Sequence, residues 1–301
     1  MDKLTRAFYE KSLENEFRKK RGKDFQDFFN SMMEFRYPGD FIRTRPWGKQ
    51  GDQKNDGYLP SKRTLFAVYA PNEIEASVTV RKITSDLEGA LPHWKAHFDR
   101  WSFVHNSMDG LPPDVTKLLL KMGGEYPEIK ITPFSYVEFR GELFQLPDSD
   151  IAVLLGNAPN AQTFANLSYE NLSRVLSAIA LGPVGSDAEI RPVPRDKIRA
   201  NQLSASIEIL LKAGMSKADL VGKLLKDWPE PEYGDSLARA FSAKYQSLKK
   251  AHHPAELIFT ELQEFAGGNV RKGPDHEAAV LAVLAFLFEQ CEIYERPPDG
   301  N

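Results

Sequence analysis

Asp52 and Asp56 stand four residues apart in "GDQKNDGYLPSKRTLFAVYAP", residues 51–71. Two acids at the start of a strand pair can hold a divalent metal against a phosphate, with hard oxygen ligands that suit Mg²⁺. Lys54 lies between them, and Lys82 follows on the next expected helix. A lysine in either place could polarise water or steady phosphate charge. The competing reading is a polar turn, with the aspartates capping it and Gly51 and Gly57 supplying positive φ.

The elements that would carry these residues can be read in order. Residues 2–21 read as a polar helix broken by Gly22. In "KDFQDFFNSMMEFRY", Phe25, Phe28, Phe29, Met32 and Met33 fall on one helical face. "DGYL" and "TLFAVYA" read as strands joined by the turn "PSKR". A helical pattern follows from Pro71 to about Arg100, with Val78, Ile83, Leu87, Leu91 and Trp94 on one face. "WSFVHN" and "EIKITPF" read as strands, and "DVTKLLLKM" as a helix ended by Gly123-Gly124. This alternation predicts an α/β sandwich around a mixed sheet. "VEFRGE" would place Glu138 and Arg140 on one face of a strand, where the arginine could clamp a phosphate.

After about residue 156 no strand pattern remains. Residues 161–181 and 198–295 read as helical, with Ser216 and Asp235 as N-caps and Gly214 and Gly267 as helix ends. The Gly- and Pro-rich stretch 182–197 is the expected linker. "AAVLAVLAFLFEQC" is apolar on nearly every side, which predicts a helix buried in a core or against a partner.

Composition narrows the function. Hydrophobic residues make up 42% and charged residues 27% of the 301, an ordinary globular mixture. No apolar run reaches the ~18 residues of a membrane helix, and the charged N-terminus does not read as a signal peptide. A cytoplasmic protein is expected. The single cysteine, Cys291, excludes an internal disulfide framework and a cysteine-based zinc site. Residues 1–63 carry 15 Lys and Arg against 10 Asp and Glu, whereas the whole chain carries 39 against 42. The basic run Arg18, Lys19, Lys20, Arg21 and the nearby Lys54 suit a polyanion such as DNA, or simply a solvated helix face. His105-Asn106 ends a strand where α/β sheets often open a crevice. His93 and His97, four apart on a helix, lack an evident third metal ligand, and His252-His253 suit a helix C-terminus. No phosphate-binding P-loop, nucleophile elbow or dinucleotide fingerprint is present.

"GKDFQDFF", "GDQKNDGYL", "FAVYAP" and "WSFVHN", in this order, resemble the restriction-endonuclease-like PD-(D/E)XK superfamily, in the branch found in bacterial defence loci. The tail "AAVLAVLAFLFEQCEIYERP" is similar to the helical C-terminal domains of ABC-three-component defence effectors. The resemblance implies a restriction-endonuclease-like α/β/α sandwich over 1–157 and an all-α interaction domain over 158–301. It implies a Mg²⁺-dependent DNA nuclease, or a derivative of one, with Asp56 and Asp52 as metal ligands and Gln26 and Lys82 in the catalytic set. Partner proteins, among them an SMC-like ATPase, would control it through the helical domain, with self-association also compatible. The pattern departs from the superfamily at Gln26, Ala67 and Tyr69, where an acid, an acid or amide, and a lysine would stand. Those departures motivate the alternative of a catalytically inactive DNA-binding or scaffold subunit.

Overall fold

The computed structural model describes residues 1–45, 53–179, 197–268, 272–290 and 293–294. Asp52, Cys291 and the expected linker up to residue 196 lie outside the described residues. The chain divides into two compact units, one of residues 13–154 and one of residues 1–12 together with 155–301.

The first unit holds a five-stranded sheet. Helices α1 (Lys3–Lys19) and α2 (Gly22–Arg36) precede β1 (Ile42–Arg43), β2 (Gly57–Leu59) and β3 (Thr64–Tyr69). Then come α3 (Ala76–Trp94), β4 (Arg100–His105), α4 (Pro113–Glu125), β5 (Lys130–Phe134), α5 (Tyr136–Leu143) and α6 (Asp148–Leu155). Spatial order follows chain order. β1, β2 and β3 form an antiparallel meander, whereas β3, β4 and β5 run parallel through the crossover helices α3 and α4. Side-chain alternation along β3 assigns the layers. Leu65 and Ala67 join Ile83 and Leu87 of α3 and Val115 of α4 in one core. Phe66 turns the other way, against Phe29 of α2 and Phe134.

Local sequence explains several departures from expectation. "VEFRGE" is helical, not a strand. Ser135 and Glu138 form a capping box that starts α5, and Phe139 and Leu143 bury the face that the i, i+4 spacing creates. Glu138 and Arg140 therefore do not form a strand pair. Gly123 and Gly124 lie inside the last turn of α4, whose end falls at Tyr126. α3 is shorter than its periodic pattern and carries Pro92 in its last turn. The helix read as polar, α1, buries Ala7, Phe8, Tyr9, Leu13 and Phe17.

The second unit is helical among its described residues. Residues 161–181 split into α7 (Ala161–Ala165) and α8 (Tyr169–Ala178), because Ser168 starts a new capping box. α9 (Lys197–Ala200), α10 (Ala205–Met215), α11 (Ala218–Lys226), α12 (Tyr233–Lys250), α13 (Ala255–Phe265) and α14 (Pro274–Glu289) complete it. Ser216 follows α10 as its C-cap, and Asp235 sits in the first turn of α12, so neither is an N-cap. α14 is the centre: every residue from Ala278 to Ala285 is buried. Its apolar surface on all sides requires neighbours on all sides. Between α11, α12 and the end of α14 lies a groove of about 730 Å³, with Phe286 at its floor. Burial and the nearby Asp219 push the Glu289 carboxyl there above its ordinary range. No helix among the described residues is long and apolar enough to cross a membrane.

Gly214 lies within α10 and does not end it. A Cβ there would collide with the Leu281 carbonyl oxygen and stand 2.8 Å from the Ala285 Cβ. Gly214→Ala is expected to cost about 1–3 kcal/mol by overpacking. Gly123→Ala, which meets open space on α4, should gain up to about 1 kcal/mol from helix propensity. Denaturant midpoints of the two variants moving in opposite directions would establish this.

Candidate functional site

The β2–β3 hairpin fixes Asp56. Its backbone N–H donates to the Phe66 carbonyl at 3.0 Å, continuing the ladder one residue beyond β2. Its carboxylate then turns back. Oδ2 accepts from the Val68 N–H at 2.7 Å, and Oδ1 accepts from Gln26 Nε2 at 2.8 Å. The acid thus links β3 to α2, where Gln26 occupies the helix position at which the resemblance implies an acid. Asn55 precedes it with its own turn, accepting from the Gly57 N–H at 2.9 Å. Gly57 must be small, because a Cβ would meet the Phe41 ring and stand 3.4 Å from Asn30 Oδ1. Two buried polar atoms flank this corner without hydrogen-bond partners, Asn30 Oδ1 and Asn55 Nδ2. Asn30 follows Gln26 by one helical turn, a spacing visible in sequence, but nothing in the sequence marked it as polar and buried.

The two candidate lysines go elsewhere. Lys54, with φ +64°, and Lys82 both bind Asp86, at 3.2 Å and 2.5 Å. Asp86 is 2% exposed on α3, so a paired cation is what permits its burial. Gly89, one turn along α3, leaves room for the Lys54 stem. α2 and α3 cover opposite faces of the sheet, so Asp56 and Asp86 are held by different layers. Asp86 itself was not anticipated. Its i, i+4 spacing from Lys82 was the available signal.

The other residues expected at the site are equally defined. Ala67 is buried in the α3 core, and the Tyr69 ring lies against Phe103. Of the basic run, Arg21 donates to the Phe17 and Lys20 carbonyls, capping the end of α1. Lys20 pairs with Glu16 at 3.0 Å and lies over the Phe28 ring. Lys19 is exposed and Arg18 partly so. Among the described residues, no three His, Cys, Asp or Glu side chains gather as a metal site. Each Asp56 carboxylate oxygen accepts a hydrogen bond. One carboxylate is the fewest with which Mg²⁺ is usually held, phosphate oxygens and water supplying the rest of its shell.

At the end of β4, His105 stacks on Phe103, which stacks in turn near Trp101. Its Nδ1 accepts from the Ser107 N–H, and Asn106 donates to the Lys20 and Pro71 carbonyls. These groups tie chain segments together. Burial pushes the imidazole down to about 4, against the opposing pull of the Glu138 charge.

With this geometry in place, comparison with known proteins adds one finding. Residues 170–295, spanning α8 to α14, match the model of C-terminal domain 10 of the ABC-three component (ABC-3C) systems. The match points to a component of a bacterial defence system, with other proteins of that system as partners. No curated protein and no solved structure matches the chain.

Two outcomes follow for these corners. Asp56→Ala leaves the Val68 N–H without its acceptor and is expected to cost about 1–3 kcal/mol. Asp56→Asn keeps one acceptor and should cost less, both read from urea midpoints. His105 is depressed in the folded state, so the unfolded state binds its proton first. Its contribution is complete above about pH 6.5 and is lost as pH falls toward 4. The loss amounts to about 3 kcal/mol at most. A His105→Gln variant should show a correspondingly flatter dependence of unfolding free energy on pH across that window.

Proposed function

We propose that the chain is a subunit of an ABC-three-component defence system. In this reading its α/β unit is a nuclease-derived module that binds nucleic acid without hydrolysing it. The helical unit docks the other proteins of the system, an SMC-like ATPase among them. The observation that carries the defence assignment is the match over residues 170–295. The nuclease-derived reading draws on topology: a helix, an antiparallel three-strand meander, a crossover helix and a parallel fourth strand. The Gln26–Asp56 hydrogen bond joins α2 to the residue before β2, and the resemblance implies an acidic pair at these two positions. The non-hydrolytic part draws on Ala67 and Tyr69, both absorbed into packing where the resemblance implies an acid or amide and a lysine.

The hydrolytic reading is supported by the same strand order together with Asp52, which would add a second carboxylate. Supercoiled plasmid incubated with the purified protein in Mg²⁺, Mn²⁺ or EDTA separates the two. Retention of plasmid in a gel shift with no metal-dependent nicking is the expected outcome. Nicking that requires metal and disappears in Asp56→Asn would establish the hydrolytic reading instead. That variant is preferred to alanine because it preserves more of the hairpin.

A further inference from the structure

The sheet face that carries Phe66 changes character along the parallel strands. Register places Thr64, Arg100 and Lys130 side by side at one end. The next row on that face is Phe66, Ser102 and Thr132, and the third is Val68, Val104 and Phe134. α2 covers the apolar end through Phe29, which meets Phe66 and Phe134. The polar end opens into a cavity of about 160 Å³, several times the ~30 Å³ share of a liquid water molecule.

Three cations and four hydroxyls line that cavity: Lys62, Arg100 and Lys130 with Tyr37, Thr64, Ser102 and Thr132. Ser102 and Thr132 are 3.3 Å apart, oxygen to oxygen. Glu142 is the acid in the lining, and it is already engaged, with Arg36 at 2.9 Å and the Tyr37 hydroxyl at 3.0 Å. Lys62 donates to that same hydroxyl at 2.6 Å. The Arg100 and Lys130 side chains have no ion-pair partner among the described residues. Strands lie about 4.8 Å apart, and like charges directly opposite one another destabilise a sheet. An anion between the two would turn that repulsion into attraction.

We propose that this pocket binds a phosphate group, with Arg100 and Lys130 as its charge partners and the Ser102 and Thr132 hydroxyls as donors. Arg offers a planar fork matched to phosphate oxygens, and Lys a mobile point charge. The pocket sits at the Thr64 end of β3, whereas Asp56 binds Val68 near the other end. It therefore differs from the site around which the nuclease resemblance is built. Only its nucleic-acid form rests on the binding reading given above.

The full-length chain would be titrated with inorganic phosphate and pyrophosphate by calorimetry. Fluorescein-labelled single-stranded and duplex oligonucleotides would be followed by anisotropy over a range of salt. The Arg100→Ser, Lys130→Ser double variant should bind whichever probe the native chain binds about tenfold or more weakly. Where the probe is nucleic acid, the salt slope should fall by about two. Its melting temperature should hold or rise, since a like-charge pair has been removed. The exchange Arg100→Lys with Lys130→Arg should retain binding. Phosphate or pyrophosphate bound through these residues, with no oligonucleotide binding, would assign a small phosphorylated ligand and overturn the nucleic-acid reading alone. Oligonucleotide bound equally by native and double variant would overturn the pocket and leave that reading standing. Failure of the native chain to bind any of the probes, or a drop in melting temperature with binding unchanged, would also overturn it.

Discussion

The short reach of β2 is the constraint around which the α/β unit is organised. β2 ends its ladder at Gly57, opposite Phe66, yet β3 continues to Tyr69 as the shared strand between antiparallel and parallel halves. The Val68 N–H would face the edge without a partner, and an unpaired buried donor costs about as much as a lost hydrogen bond. The Asp56 carboxylate takes the place of the missing backbone acceptor and reaches on to Gln26. One side chain thereby sets where β3 meets α2. The requirement for Gly57 and the burial of Asn30 and Asn55 follow from how closely that corner is drawn together.

This arrangement also gives an acid in a motif-like position a structural role of its own. A carboxylate accepting a backbone N–H and an amide is already oriented and solvated by protein. Each oxygen keeps a second lone-pair site, so a metal there would add to these hydrogen bonds and would have to accept the direction they impose. The lysines that could have served catalysis are committed to a buried aspartate on the opposite layer, where their charge offsets the cost of its burial. Arg100 and Lys130, at the start of the parallel strands, have no ion-pair partner among the described residues.

Much of the fold was legible because it is written in periodicity. The apolar repeat from Phe25 to Met33, the strands 64–69, 100–105 and 130–134, and the buried helix around residues 278–285 all follow from local patterns. What misled was competition between local signals. "VEFRGE" alternates like a strand, but Ser135 and Glu138 cap a helix, and the cap decided the outcome. Gly214 resembled a helix stop but serves close packing against Leu281. At the site, Asp56, Gln26 and Lys82 were readable as chemical types. The partner of Asp56 was not, because the Val68 N–H lies 12 residues away and only the folded hairpin brings it there, whereas Asp86 carried an i, i+4 signal from Lys82 that went unread. The Arg100 and Lys130 pairing needed register, which a single strand cannot disclose.

The place of α14 has a consequence for how the chain is made. Its buried residues fill the middle of the helical unit, and the Phe288 carbonyl near its end receives the buried Lys197 ammonium from 91 residues earlier. The first twelve residues belong to this same unit. On a ribosome, α10 is made before α14, against which it packs, so this unit closes only after α14 has emerged. Residues 13–154 are continuous in sequence and hold the whole sheet, so they can close it before that. Until α14 is made, the apolar surfaces it will cover stay open, and that interval is one of exposure to aggregation.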